Sequence, residues 1–275
     1  MSVLNAALRL AFDLLLAPFA SLPPIVSLVV VCLLVSVLML VVFKRTSNQA
    51  ALAVVKRKIH AGLFEIRLFN DDLRAILRAQ NEILRHNLTY LRLSLWPMLF
   101  LLPPLVLVIA QLQFHYGYEG LRPGQRALLE VDLAPEAAGG ARPRVALDVP
   151  AGLRAETEAV WVKAESQLAW RLVAERDGDY EVGLEIDGAP RVTKTVRVTP
   201  RTVRLSPERA SSGFLSQLLY PAEPPLPPGP VRAVRLSYPE REVEVLGYGM
   251  HWMIPFFALS IAFAFALRGV FKVTI

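Results

Sequence analysis

Three long runs of apolar residues divide the chain, and each predicts a helix. Residues 25–43 carry no charge, and as a helix they would extend about 28 Å, close to the hydrocarbon thickness of a bilayer. Residues 93–114 form a second uncharged run, which contains Pro97, Pro103 and Pro104. The third run covers residues 250–271 and carries Arg268 near its end. We therefore predict three transmembrane helices.

Residues 1–24 show a helical pattern of a different kind. Apolar side chains recur at helical spacing, while Arg9 and Asp13 disfavour a further full span. We predict a helix that lies in the membrane interface before Pro23 and Pro24 turn the chain. The apolar positions of this pattern are Leu4, Leu8, Phe12, Leu15 and Phe19.

Residues 44–92 carry two apolar stripes with spacings of three and four, which predict two antiparallel helices of a coiled-coil hairpin. Between them, Asn70 is a candidate N-cap, and Asp71 and Asp72 suit the first turn of the second helix. The first stripe is Leu52, Val55, Ile59, Leu63 and Ile66, and the second is Leu73, Leu77, Leu84, Leu88 and Leu91.

Residues 120–206 change to a period of two, as in Leu129, Val131 and Leu133, with tight-turn signals at Asp177–Gly178 and Asp187–Gly188. About seven short strands predict an antiparallel β-sandwich. The segment 178–182, Gly-Asp-Tyr-Glu-Val, resembles the tyrosine corner of immunoglobulin-like domains.

Residues 207–249 contain a proline-rich connector. Two runs in it, 231–236 and 241–246, predict a last hairpin before the third span. The predicted fold class is thus a membrane α-helical protein with three transmembrane helices, an N-terminal interfacial helix and a cytoplasmic helical hairpin, into which an all-β immunoglobulin-like sandwich is inserted.

Charge predicts the orientation of the chain. Residues 44–92 carry ten basic and four acidic side chains, a net charge of +6, whereas residues 116–249 carry seventeen basic and nineteen acidic ones. By the positive-inside rule the hairpin is cytoplasmic and the sandwich is outside. We expect a multi-pass protein of the bacterial inner (plasma) membrane, with its N-terminus outside and its C-terminus cytoplasmic.

The sequence lacks the motifs that would indicate catalysis. There is no HExxH, paired-cysteine, GxSxG or P-loop pattern, and Cys32 is the one cysteine. We therefore expect no enzyme activity, no metal site and no cofactor.

Polar residues inside the apolar runs are the remaining functional signal, because each unsatisfied polar group in a bilayer is costly. Ordinary helix packing is one interpretation. The other is a partly hydrated groove that opens to the cytoplasm, which prolines in the second span would favour by freeing carbonyl groups. The candidate groove residues are Ser27, Ser36, Gln111 and Ser260.

The order of a span, a basic cytoplasmic hairpin and a proline-rich span resembles the YidC/Oxa-type membrane protein insertase superfamily, and its three-span endoplasmic-reticulum and archaeal members in particular. The resemblance covers residues 25–113 and the last span. Its most similar segment runs from His86-Asn87-Leu88 through Trp96-Pro97-Met98 to Leu102-Pro103-Pro104-Leu105.

This chain departs from the family in two respects. It has no arginine within the first span, and its sandwich lies between the second and third spans.

The resemblance implies an insertase or chaperone that uses a cytoplasm-facing hydrophilic groove to insert short or weakly hydrophobic segments. Membrane lipids, nascent membrane proteins and the ribosome would be its partners. The implied basic contact residues are Lys44, Arg45, Lys56, Arg57, Lys58 and Arg74. Attraction to anionic lipid is the other interpretation of these charges. An alternative function is a membrane-anchored scaffold or accessory subunit that binds another membrane protein through the outer sandwich.

Overall fold

The computed structural model describes residues 2–69, 71–134, 143–186 and 190–273. The chain divides into two compact units, Met1–Ser27 with Leu107–Pro255 and Leu28–Val106 with Phe256–Ile275. The predicted N-cap at Asn70 and the predicted turn at Asp187–Gly188 lie outside the described residues.

Among the described residues, three helices are long and apolar enough to cross a membrane, and each contains most or all of one apolar run of the sequence. These three are α2, α4 and α6. The third begins at Met253 and not at residue 250, because Met250 and His251 belong to a strand. The helices are α1 (Ser2–Leu16), α2 (Pro24–Thr46), α3 (Gln49–Leu68), α4 (Leu73–Tyr116), α5 (Phe214–Leu219) and α6 (Met253–Phe271).

Helix α4 is one continuous helix of 44 residues. It joins the second helix of the predicted hairpin to the predicted second span, so the expected boundary between residues 92 and 93 lies inside a helix. Good helix formers without glycine fill this junction, and Pro97, Pro103 and Pro104 lie within the helix beyond it. At about 1.5 Å per residue, α4 is roughly 66 Å long, about twice the thickness of a bilayer core.

Helices α3 and α4 approach each other at Gly62, where an added Cβ would lie 2.7 Å from Cγ1 of Ile83. Ala79 is fully buried at this contact. Asp72 caps α4, since its Oδ1 accepts hydrogen bonds from the backbone N–H groups of Arg74 and Ala75. A close approach needs small side chains. The second predicted stripe therefore does not face α3, and its leucines are exposed instead.

The strands form two antiparallel sheets and a separate hairpin within the described part of the chain. One sheet has the order β3-β5-β1-β9-β8 with β4 also paired to β5, and the other has the order β2-β6-β7. The strands are β1 (Arg126–Leu133), β2 (Val145–Asp148), β3 (Leu153–Ala155), β4 (Val160–Val162), β5 (Gln167–Ala174), β6 (Gly178–Ile186), β7 (Val192–Val198), β8 (Glu208–Ala210), β9 (Val231–Leu236), β10 (Glu242–Val245) and β11 (Tyr248–His251).

The two sheets share one hydrophobic core. Alternate residues of β1, such as Leu129 and Val131, are fully buried in it together with Val182 of β6 and Val196 of β7. The period-two pattern of the sequence therefore matches the buried face of each of these strands.

The predicted last hairpin between residues 231–236 and 241–246 is wrong. Strand β9 pairs with β1 and β8, whereas β10 pairs with β11. The reason is burial, because β9 places Val234 and Leu236 in the sandwich core. The sandwich consequently extends beyond residue 206. A tight turn through Leu246 and Gly247, both with positive φ, closes the actual hairpin.

Tyr180 makes the contact expected of a tyrosine corner. Its hydroxyl donates to the carbonyl of Arg176 at 2.9 Å, just upstream in the chain. Its ring covers Gly152, where any Cβ would collide with it and where φ is +116°. The corner thus ties the start of β6 to the turn before β3.

We expect Tyr180→Phe to lower the free energy of unfolding of the sandwich by about 1 kcal/mol, because it removes one intramolecular hydrogen bond and leaves the ring in place. Chemical unfolding of the full chain, followed by tryptophan fluorescence, measures the change. The matched control is Tyr248→Phe at an exposed hydroxyl. If both variants lowered the free energy of unfolding equally, the Tyr180 hydrogen bond would not be what stabilises the corner.

Candidate functional site

Two of the four predicted groove residues meet in the second unit. The hydroxyl of Ser36 on α2 lies 2.6 Å from the carbonyl of Cys32 and 2.9 Å from the carbonyl of Ser260 on α6. The Cys32 thiol lies 3.6 Å from the carbonyl of Phe256. Spacings of four residues on both helices bring these groups into one line. The contact is a polar ladder between two otherwise apolar helices.

The other two predicted groove residues belong to the first unit. Ser27 is buried, and its hydroxyl donates to the Pro24 carbonyl at 3.0 Å and accepts from the Tyr116 hydroxyl at 2.8 Å. Gln111 is also buried, and its Oε1 has no hydrogen-bond partner among the described residues. Such an orphaned amide oxygen in an apolar helix is costly unless a partner or water reaches it. The groove therefore stays a prediction.

The predicted basic contact residues lie on three elements of the second unit. Lys44 and Arg45 occupy the last turn of α2, where the helix dipole favours positive charge. Arg57 and Lys58 on α3 and Arg74 on α4 are exposed. Of the six, Lys56 is half-buried and the other five are exposed.

Sequence reasoning missed a polar face on α1. Asn5 is buried, and its Nδ2 donates to the Gln217 carbonyl at 2.7 Å. Arg9 donates from Nη1 to the Pro221 carbonyl at 3.1 Å. Asn5, Arg9 and Asp13 are spaced by four residues, so they share one face of the helix.

Asp13 completes this face with an ion pair. Its Oδ2 lies 2.9 Å from Nη2 of Arg204, and its Oδ1 lies 3.5 Å from Nε2 of the buried His115. Burial lowers the pKa of the Arg204 guanidinium, and Asp13 opposes that change. The signal was present in the sequence, because Arg9 and Asp13 are the only charges in α1.

The opposite face of α1 is apolar and exposed. Val3, Leu10 and Leu14 are 82%, 62% and 67% exposed, whereas the predicted stripe residues Leu8, Phe12 and Leu15 are half-buried. The helix thus points its charges into the first unit, and Val3, Leu10 and Leu14 point outward. This is the reverse of the arrangement on a water-soluble surface.

A buried ion pair lies in the same unit. Lys194 of β7 is fully buried, and its Nζ donates to Glu223 Oε2 at 2.7 Å and to the Ser206 carbonyl at 2.6 Å. Oε1 of Glu223 accepts from the Thr195 N–H at 3.0 Å. These hydrogen bonds satisfy most of the donors of the ammonium group and most of the acceptors of the carboxylate, as a buried ion pair requires.

Opposing effects set the pKa of Glu223. Burial alone would raise the pKa of this carboxyl, but the Lys194 ammonium and the Thr195 N–H outweigh it and hold the pKa below its ordinary value. Burial lowers the pKa of Lys194, and Glu223 partly offsets that change.

A cavity of about 250 Å³ adjoins this pair. The guanidinium-bearing side chains of Arg9, Arg197 and Arg204 line it together with Glu223 and Tyr238. Its excess of positive charge suits water or a small anion.

A larger cleft of about 610 Å³ is also formed within the first unit. Residues 20–25 form one wall, and charged side chains of both signs form much of the other. Its charged lining residues are Glu119, Arg122, Arg201, Arg241, Glu242 and Glu244. Among the described residues, no group of three or more histidine, cysteine or carboxylate side chains is placed to hold a metal ion.

Comparison of the chain with known protein families, characterised proteins and solved structures found no match.

We expect Glu223→Gln to destabilise the first unit by about 3–5 kcal/mol at neutral pH, because it leaves the Lys194 charge buried without its partner. The folded-state pKa of Glu223 lies below its ordinary value of 4.5. The stabilisation is therefore present above that value and is lost as the pH falls through the folded-state pKa. Urea unfolding at pH 7 and at a series of acidic pH values measures the difference.

The control for this experiment is Glu181→Gln, which removes an exposed carboxylate of β6. It should change the unfolding free energy little at any pH. A difference between wild type and Glu223→Gln that stays constant as the pH falls would contradict the role of the carboxylate.

Proposed function

We propose that this chain is a multi-pass protein of the bacterial inner membrane that assists insertion of short or weakly hydrophobic segments of nascent membrane proteins. The observation that carries the proposal is the continuity of α4. Its first half is exposed and rich in arginine, and its second half is apolar and long enough to cross a bilayer. A segment bound at the hairpin would thus lie on the same continuous helix as a span.

The hairpin supports this function by its charge. The exposed Arg57, Lys58 and Arg74 form part of a net charge of +6 over residues 44–92. Such a surface attracts ribosomal RNA and anionic lipid headgroups. In the proposed orientation it faces the cytoplasm, where nascent chains emerge.

The polar contacts of the apolar helices also support it. Ser36 and Ser260 place polar groups between α2 and α6, and Oε1 of Gln111 in α4 has no partner among the described residues. We expect this oxygen to accept a hydrogen bond from a polar group of a client segment. Such partners lower the cost of moving a polar side chain into hydrocarbon.

The test is insertion into proteoliposomes that contain the purified full chain. Ribosome-bound nascent chains that carry one short apolar segment are added, and protection from protease reports insertion. We expect the wild type to raise insertion several-fold above empty liposomes, and the variant Arg57→Gln/Lys58→Gln/Arg74→Gln to lose most of that gain because charge attraction draws the complex to the surface.

The matched control removes three exposed charges of the other unit, Lys163→Gln/Arg176→Gln/Arg232→Gln, and should insert as well as wild type. A photocrosslinker at Ser260 should reach the nascent segment more often than one at the exposed neighbour Ile261. Insertion no higher than in empty liposomes would overturn the proposal.

The large cleft favours a second candidate function, an accessory subunit that binds another membrane protein through the outer domain. Arg122 and Arg201 are exposed and line this cleft together with Glu242 and Glu244. Mixed charges of this kind suit a polar partner surface more than a small apolar ligand.

We expect Arg122→Ala/Arg201→Ala to reduce recovery of a stoichiometric partner several-fold after crosslinking in intact membranes, if the cleft is the contact. Charge removal at a rim raises the rate of dissociation or slows association without unfolding the domain. The control is Lys163→Ala/Arg176→Ala, away from the cleft lining. Unchanged recovery with the cleft variant would exclude this interface.

A further inference from the structure

The first half of α4 carries an apolar stripe that faces away from α3. The leucines at positions 77, 84, 88, 91 and 95 are between 54% and 60% exposed. The side of α4 that contacts α3 is a different one, formed by Ala79 and Ile83 near Gly62. α4 thus has two apolar faces, and the described residues of the second unit cover one of them.

The exposed stripe follows a heptad repeat. From Leu77 onward its positions alternate in steps of four and three, and the repeat continues through Met98 and Leu102, which gives three to four heptads. The positions equivalent to d are Leu77, Leu84 and Leu91, and those equivalent to a are Asn81, Leu88 and Leu95. A period of 3.5 residues is typical of a helix that packs along a partner helix.

Asn81 breaks the apolar stripe at one a position, and it is exposed. A single asparagine at a, with leucine at d, favours a two-stranded parallel coiled coil, because two such asparagines can hydrogen-bond to each other in one register only. An asparagine side chain at this position would add no apolar area to a contact with lipid. The pattern therefore favours a second copy of the same helix as the partner.

The flanking charges favour the parallel direction. Arg78, Arg85 and Arg92 occupy the e positions, whereas Gln80 and Asn87 occupy g positions. In a parallel pair, each g residue meets the e residue of the next heptad on the partner, so arginine would meet an uncharged amide. In an antiparallel pair, arginines would face each other and repel.

We propose that the chain self-associates as a parallel dimer through this α4 face. Two copies anchored in one membrane with the same orientation present their α4 helices in the same direction, as the pairing requires. The inference uses the membrane anchoring of the proposed function and not the insertion activity.

Cysteine crosslinking in membranes tests the pairing directly, because identical a or d positions meet each other in a parallel dimer. The buried Cys32 is first changed by Cys32→Ser. In this background, Leu84→Cys, Leu88→Cys and Leu91→Cys should each give a disulfide-linked dimer of the full chain on oxidation. The controls Glu82→Cys and Thr89→Cys are exposed b positions and should give several-fold less.

Three results would overturn the proposal: no covalent dimer at any a or d position, equal yields at the b positions, or disulfide crosslinks to a different protein alone. A second measurement is the mass of the purified full chain in lipid nanodiscs or mild detergent. Leu84→Glu/Leu91→Glu should convert a dimer to a monomer, whereas Thr89→Glu should remain dimeric. Neither the crosslinking nor the mass measurement needs a client segment. Their outcome is therefore independent of whether the insertion assay succeeds.

Discussion

Polar groups on apolar helices must find partners inside the protein, and much of this structure follows from that constraint. In the first unit, α1 turns Asn5, Arg9 and Asp13 toward carbonyls and an arginine of the β-rich part. In the second unit, hydroxyl and thiol groups of α2 meet carbonyls of α6. Leucine and valine side chains are left outside in both cases. A surface of this kind is stable where the solvent is itself apolar, which is the environment proposed here.

The need of polar groups for partners also explains why the spacing of the leucines alone did not predict which face of α1 is exposed. Leucine, phenylalanine and alanine fill most of this helix, so a stripe at helical spacing can be drawn on more than one side. Two charges and one asparagine, four residues apart, decide which side turns inward. Their partners, Arg204 and the carbonyls of Gln217 and Pro221, lie some two hundred residues away in sequence. Sequence spacing identifies such a face, but it does not identify what the face will meet.

The elements with strong local periodicity could be predicted, and those that depend on distant pairing could not. The apolar runs became α2, α6 and the second half of α4, and the alternating residues of β1 became buried strand positions. Strand β9 is the segment whose pairing partner was predicted wrongly. Its local pattern fits a hairpin with the following strand as well as it fits the sheet, and only burial of Val234 against the core distinguishes the two. The ladder between Ser36 and Ser260 likewise needs the contact of two helices, which no spacing within one helix reveals.

Helix α4 shows how one sequence can serve two packing faces at once. Small residues on one side allow close approach to α3 at Gly62, whereas leucines with a 3.5-residue period occupy the side that is left open. A hairpin that needed only its own stability would place its largest apolar residues between its two helices. Here the larger residues point outward, and arginines beside them disfavour immersion in hydrocarbon. We therefore expect a further surface to cover this face, and Asn81 within the heptad favours an identical helix as that surface.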